Sequence, residues 1–311
     1  MKPYRTLLLL LISSLLLAGC GNVEQDGAKR GAFTDTAIYD FRDTRKLVST
    51  VKNASLLVER KGNEAFSEFK NAPKTWNNDL YYVYVYSIDG SCLYHPQRPD
   101  FEGRNLIDVT DVQGRRTLQM AIQATGDPNN PHGWIHYVWH SSHGLQARAK
   151  SSCHFRVTMP DGREVIVGGG MDMPSEEKMF AKFTVDSAVE MLKKQGACGL
   201  DEIRNPTARF RYRDVKVFVL QEDGTALIDP ALDTVSPRNL KDYRDIGGNY
   251  PFRSVIERLR REDSCWVVAL DRNRYARVMG KKVIYARKGM IDSVPVVVGA
   301  MTSLPKPVWS N

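Results

Sequence analysis

The residues of this 311-residue chain best suited to chemistry are polar-tipped aromatics, and they are unevenly placed. All six histidines fall between His95 and His154, a stretch flanked by Tyr84 and Tyr86 and containing Tyr137 and Trp139. Rings with an apolar body and a polar tip, converging on one sheet face, suit a compact ligand that is apolar along its body and charged at one end. A carboxylate end requires a cation or several donors, for which Lys150, Arg104 and His95 are the candidates. His136, His140 and His143 have a spacing that would converge on a helix. The segment GWIHYVWH, however, begins at Gly133 and is rich in aromatic and β-branched residues, which predicts a strand. On a strand only His136 and His140 share a face, and no carboxylate is near in sequence, so neither a metal site nor a cofactor is expected. Catalysis finds no support: there is no nucleophile elbow, no spaced pair of acids beside a histidine and no phosphate-cradling glycine loop. Gly168-Gly169-Gly170 is expected to end a strand but opens no G-x-G-x-x-G helix.

The elements that must position these residues come in two copies. Leu47, Val51, Ala54 and Val58, then Ala65, Phe66 and Phe69, predict a long amphipathic helix interrupted at Gly62. YYVYVYSIDGSCLYHP follows, an aromatic and β-branched run with an Asp-Gly turn and a second short strand. Pro174-Ser175-Glu176-Glu177 then predicts a new helix start with a serine cap, continued by Phe180, Phe183, Ala188, Met191 and Leu192 to Gly196. At a constant offset of 134 residues Gly62 matches Gly196, Asn71 matches Asn205, Asp89-Gly90 matches Asp223-Gly224 and Pro96 matches Pro230. Arg104-Asn105-Leu106 matches Arg238-Asn239-Leu240, Asp108 matches Asp242 and Gly114 matches Gly248. So many identities at one offset mark a duplicated unit. Farther on the offset slips, aligning GWIHYVW (133–139) with CWVVALD (265–271) and VIVGGGM (165–171) with VVVGAMT (296–302). Each unit is therefore expected to be α+β: a long helix packed on a mostly antiparallel five-stranded sheet, with the irregular stretch 96–131 roofing the other face.

Positions kept in both copies are expected to be scaffold: the Asp-Gly turn, the proline ending an edge strand, and an ion pair of Arg104 with Asp108 and of Arg238 with Asp242 bracing the roof. Positions that differ point to function. Tyr84 and Tyr86 become Phe218 and Leu220, His95 becomes Asp229, and His136, Tyr137 and Trp139 become Val268, Ala269 and Asp271. Alternation places Tyr82, Tyr84 and Tyr86 on one side of their strand, Tyr137 and Trp139 on one side of theirs, and Lys150, Ser152 and His154 on one side of a third. Which side meets the helix and which the roof stays open at this level.

YYVYVYSIDGSCLYHP, EGRNLIDVTDVQG, GWIHYVWH and AKSSCHFRVTMPDGREVIVGGGM, in that order, resemble the Cache family of extracytoplasmic sensor domains related to PAS domains. The resemblance covers residues 35–174 and, more loosely, 175–311, so that two tandem PAS-like Cache domains are implied. It implies binding of a small carboxylate, amino acid or amine between sheet and roof. Tyr84, Tyr86, His95, Arg104, Tyr137, Trp139, Lys150 and His154 are the candidate contacts, His154 standing where a tyrosine is common in the family. Family members signal through an attached kinase or chemoreceptor. Because this chain shows no such domain before Asn311, a separate histidine kinase or chemoreceptor partner is expected.

The chain opens MKPYRTLLLLLISSLLLAGC, with Lys2 and Arg5 before an apolar run too short for a stable span. Leu17-Ala18-Gly19-Cys20 resembles the lipobox of bacterial lipoproteins, which implies a signal peptide over 1–19, acylation of Cys20 and a polar tether over 20–34. An envelope location on the extracytoplasmic side follows, with the outer membrane favoured by Gly21 rather than Asp after the cysteine. The formal charge of +8 is scattered, which suits a solvated basic face and not a nucleic-acid partner. Outside the cytoplasm, Cys92, Cys153, Cys198 and Cys265 are disulfide candidates, with one bridge per half (Cys92–Cys153 and Cys198–Cys265) the simplest pairing and free thiols the alternative. The family's strand order separates the strands of Cys92 and Cys153, which argues against the first bridge. The functional expectation is a ligand-binding first domain and a degenerate second one; the alternative is an envelope lipoprotein with a purely structural or interaction role.

Overall fold

The computed structural model describes residues 35–140, 146–205, 209–213, 215–229, 238–272 and 279–304. Residues 1–34, on which the expected signal peptide, Cys20 acylation and tether fall, and also His143 and Pro230, lie outside the described residues. Helix α1 (Arg42–Lys61) buries Leu47, Val48, Val51, Ala54, Leu57 and Val58 along one stripe and ends at Gly62, whose φ of 56° only glycine takes without strain. Each fully buried aliphatic side chain contributes about 1.5–3 kcal/mol, so this stripe is what fixes the helix to the sheet. Helix α2 (Glu64–Asn71) continues beyond the break.

The first sheet comprises β1 (Tyr82–Ser87), β2 (Cys92–Tyr94), β3 (His132–His140), β4 (Ala147–Thr158) and β5 (Glu164–Asp172), in the order β2-β1-β5-β4-β3 with every pair antiparallel. One face, carrying Val83, Val85, Cys153, Phe155, Val165 and Val167, packs on α1. The other face is roofed by residues 96–131, which include helix α3 (Thr117–Ala124).

The second unit repeats this plan. Helix α4 (Lys178–Gln195) ends at Gly196 with a φ of 58° and is followed by α5 (Cys198–Arg204). Its sheet holds β6 (Arg211–Tyr212), β7 (Val215–Gln221), β8 (Ala226–Ile228), β9 (Ser264–Arg272), β10 (Met279–Ile291) and β11 (Val294–Ser303), and α6 (Pro251–Leu259) lies in the roof. The strands follow β6-β7-β11-β10-β9 with β8 paired to β7, so the two-residue β6 makes this sheet six-stranded where five strands are expected.

The helix predicted to start with a Ser175 cap starts at Lys178 instead, with Glu177 as its N-cap and no side-chain capping bond. The Glu177 carboxylate is engaged elsewhere, accepting from the backbone N–H of Asp40 (2.7 Å) and of Phe41 (2.9 Å), and so caps α1 from across the chain. Burial raises the Glu177 carboxyl against those stabilising bonds.

The repeated Arg-Asn-Leu motif explains itself at the hairpin turns. Gly90 and Gly224 take φ of 103° and 98°. Asn105 Nδ2 donates to the Asp89 carbonyl (2.9 Å) and Asn239 Nδ2 to the Asp223 carbonyl (3.1 Å), tying the roof to the turn in both copies. The expected Arg104–Asp108 and Arg238–Asp242 braces do not form. Asp108 faces Arg116, Asp242 faces Arg253, and Arg238 pairs with Asp229 at 3.0 Å. The buried brace lies three residues further on: Asp111 binds Arg115 and the Val138 N–H (2.9 Å), and its repeat Asp245 binds Asn249 and the Leu270 N–H (2.9 Å). Burial raises the Asp111 carboxyl, but the Val138 and Arg115 bonds outweigh it and hold the group below the usual carboxylate range.

Cys92, Cys153, Cys198 and Cys265 are all free, which corrects the disulfide pairing. Cys92 packs under the roof while Cys153 packs on α1, on opposite faces of one sheet; Cys265 is buried and Cys198 is exposed on α5.

Candidate ligand-binding site

The alternating faces of β1, β3 and β4 settle which side holds the aromatics. Tyr82, Tyr84 and Tyr86 of β1, Ile135, Tyr137 and Trp139 of β3, and Lys150 and His154 of β4 all point to the roof. They enclose a cavity of about 300 Å³, closed from above by His95, Phe101, Leu106 and Leu118. That volume is at the small end of ligand pockets, the right size for a small metabolite.

Its floor depends on the glycine run of β5, which lies inside the strand and does not end it as expected, because the strand stays paired to Asp172. A Cβ on Gly168 would sit 2.3 Å from the Tyr84 ring and 2.6 Å from the His154 ring, and one on Gly170 would sit 2.2 Å from Ser152 Oγ. The glycines therefore make room for the polar side chains of neighbouring strands.

Lys150 is the buried cation of this cavity, with 6% of its surface exposed. Its Nζ donates to the Tyr82 hydroxyl at 2.9 Å and lies 3.3 Å from the more exposed Asp172 carboxylate at the end of β5. The Tyr84 hydroxyl bonds His154 Nε2 at 2.9 Å, and Tyr137 shares a 2.9 Å hydrogen bond with Ser152 Oγ. His95 stacks on Tyr84 at 5.7 Å with rings 8° from parallel. Its Nδ1 accepts from the Arg98 backbone N–H at 3.1 Å, so in the neutral ring Nε2 carries the proton.

Burial lowers His154 to about 3. His95 falls to about 4, through burial first and then repulsion from Lys150 and Arg98. Both imidazoles are thus neutral at physiological pH. Burial pushes Tyr137 up to about 12 and holds Tyr82, Tyr84 and Tyr86 above the ordinary phenol value, leaving four hydroxyls as neutral donors. The formal charge inside rests on Lys150, with Arg98 at the mouth bound bidentately to Asp100.

Of the eight candidate contacts, Tyr84, Tyr86, His95, Tyr137, Trp139, Lys150 and His154 line the cavity. Arg104 does not: it is exposed in the loop after β2, and Arg98 is the arginine that reaches the wall. Tyr82, Gln97 and Arg98 line it without being in the candidate set; Tyr82 was legible from its alternation with Tyr84. His136 faces away, packed at 4.2 Å on the Tyr212 ring of the second unit. Among the described residues no group of His, Cys, Asp and Glu could hold a metal ion.

In the second unit the corresponding space is filled. Phe218, Leu220, Leu240, Phe252, Ala269 and Ala286 form a closed apolar cluster there, and Asp229, in the place of His95, is held by Arg238.

Residues 50–172 match the model of the Cache domain. No curated protein matches the chain. Among solved structures, the periplasmic sensor domain of a chemotaxis protein is 18% identical, covering 50% of this chain and 100% of that one, at a TM-score of 0.33. A Cache chemosensory domain described for carboxylic acid recognition is 16% identical over 42% of this chain and 93% of its own, at a TM-score of 0.32. The ligand-binding domain of the Pseudomonas fluorescens chemoreceptor CtaA, solved with L-alanine, is 10% identical over 91% and 98%, at a TM-score of 0.27. The segment that builds the cavity, residues 50–172, is a Cache domain.

Proposed function

We propose that this chain is a lipid-anchored extracytoplasmic sensor whose first domain binds a small organic carboxylate, amino acids included, and works with a separate signalling partner. The observation that carries the ligand class is Lys150: a cation 6% exposed, inside a cavity whose tyrosines and histidines are neutral and whose other cation, Arg98, stands at the mouth. A carboxylate placed there gains a charge-assisted hydrogen bond from Lys150 and neutral ones from the tyrosines, while its apolar body meets Ile135, Leu118 and Trp139. Asp172, 3.3 Å from Lys150, offers an acceptor for the ammonium of an amino acid. A simple amine would meet Lys150 directly and is disfavoured. The lipid anchor rests on Leu17-Ala18-Gly19-Cys20, and among the described residues no helix is long and apolar enough to cross a membrane. Because the second unit's equivalent space is packed with Phe218 and Phe252, that unit serves spacing or partner contact on this face.

A thermal-shift panel of carboxylates, amino acids and amines tests the reading, since a ligand bound only by the native state raises the melting temperature. Hits confined to carboxylates, and lost in Lys150→Met and Tyr137→Phe, are expected. A panel without hits favours the structural lipoprotein reading, and a hit insensitive to Lys150→Met overturns the site.

A further inference from the structure

The second unit has a cavity of its own, in a different place from the filled one. It measures about 380 Å³ and lies at the end of the sheet where β10 turns into β11, between the last turns of α4 and α6. Val189, Ile256, Leu259, Val296 and Val297 give it an apolar wall. Four cations, Lys193, Arg260, Arg287 and Lys288, and two acids, Glu190 and Glu222, complete its lining. Arg287 is held by Asp186 at 3.0 Å and Lys288 faces Asp263 at 3.3 Å. Lys193 and Arg260 are exposed, and among the described residues neither has an acidic partner.

The internal repeat shows that this basic rim is not inherited scaffold. At the offset of 134, Lys193 stands where the first unit has Glu59, Arg260 where it has Gly126, and the wall residue Leu259 where it has Thr125. The two copies thus differ by two unpaired cations and a larger apolar side chain around one opening. An apolar slot with a cationic rim selects a ligand with an apolar tail and an anionic head: the tail removes wall area from water, and the head meets cations that have no competing partner.

We infer that this cleft between α4, α6 and the β10–β11 hairpin is a second binding site, specific for an anionic amphiphile such as a medium-chain carboxylate. The site is separate from the Lys150 cavity and does not depend on the function proposed for it.

Calorimetric titration of the full chain with sodium octanoate tests this, with octyltrimethylammonium as the charge-reversed probe and Lys150→Met as the background that removes the first cavity's cation. One saturable octanoate site is expected to persist in Lys150→Met. It should weaken about tenfold in the double variant Lys193→Glu, Arg260→Gly, the loss of charge-assisted contacts. Both substitutions are at exposed positions, so an unchanged melting temperature verifies folding, and Lys193→Gln alone should give an intermediate loss. Octanoate binding that disappears in Lys150→Met, that ignores the rim substitutions, or that is matched by octyltrimethylammonium overturns the inference.

Discussion

The Tyr212 ring of the second unit stacks on His136 of the first, with centroids 4.2 Å apart and planes at 25°. Ser151 joins them, 2.8 Å from His136 Nδ1 and 3.1 Å from the Tyr212 hydroxyl, and Phe180 of α4 packs on the same imidazole at 4.7 Å. Strand alternation makes this contact the reverse side of the Lys150 cavity: His136 and Ser151 face the second unit, while their neighbours Tyr137, Lys150 and Ser152 face the cavity or its polar network.

Tyr212→Ala should therefore destabilise the protein by roughly 2–4 kcal/mol, through a lost buried ring and a weakened hydrogen-bond network at Ser151. Tyr212→Phe keeps the ring and should cost about 1 kcal/mol. Chemical denaturation of both variants measures the split; equal costs would show that the hydroxyl, not the stack, carries the contact.

Gly168→Ala puts a methyl 2.3 Å from the Tyr84 ring, where the sheet cannot yield easily. Overpacking of this kind costs about 1–3 kcal/mol. The melting temperature should drop, and any carboxylate-induced shift should shrink with it because Tyr84 and His154 are pushed into the cavity. A full ligand shift in Gly168→Ala would show that the floor does not shape the site.

Acid should unfold the protein early. His95, His136 and His154 are lowered from 6.5 to about 4, 3 and 3 in the folded state. Unfolding then takes up protons at each of them, so their contribution is fully present above about pH 6.5 and is lost as pH falls toward about 4 for His95 and about 3 for His136 and His154. The raised Glu177 carboxyl acts in the opposite sense and only near its own range. Stability measured by urea titration should fall steadily from pH 6.5 to 4.5. Carboxylate affinity, by contrast, should stay flat from pH 6 to 8, since both pocket histidines remain neutral there; an inflection near 6.5 would show that one of them charges on binding.

The four thiols should divide sharply. Burial pushes Cys92 up to about 12 and Cys265 to about 11, and Cys153 higher still, while Cys198 is exposed. A thiol-specific reagent should titrate Cys198 quickly in the native protein and the other three only on unfolding. A native protein with no reactive thiol before reduction would place Cys198 in a disulfide.

The duplication, the hairpin with its Asp-Gly turn, the helix break at Gly62 and the sets of residues that share a strand face are all written in the amino-acid order. They follow from short-range rules: a period of two along a strand, a period near 3.6 along a helix, and a left-handed turn that only glycine enters easily. Six of the eight candidate contacts reach the cavity because they lie in such strands, where one residue's side fixes the side of the rest, and His95 reaches it from just beyond β2. Arg104 belongs to a loop, and a loop has no period to say that Arg98 turns inward in its place. Nor does alternation choose between the two faces of a sheet. Long-range packing alone sets Tyr84 against the roof and His136 against Tyr212, and puts Cys92 and Cys153 on opposite faces. The same packing closes the second unit's copy of the site with Phe218 and Phe252. Each of those outcomes depends on which distant surface packs where, a choice made by the burial of α1 and α4 on their sheets and not by any local pattern.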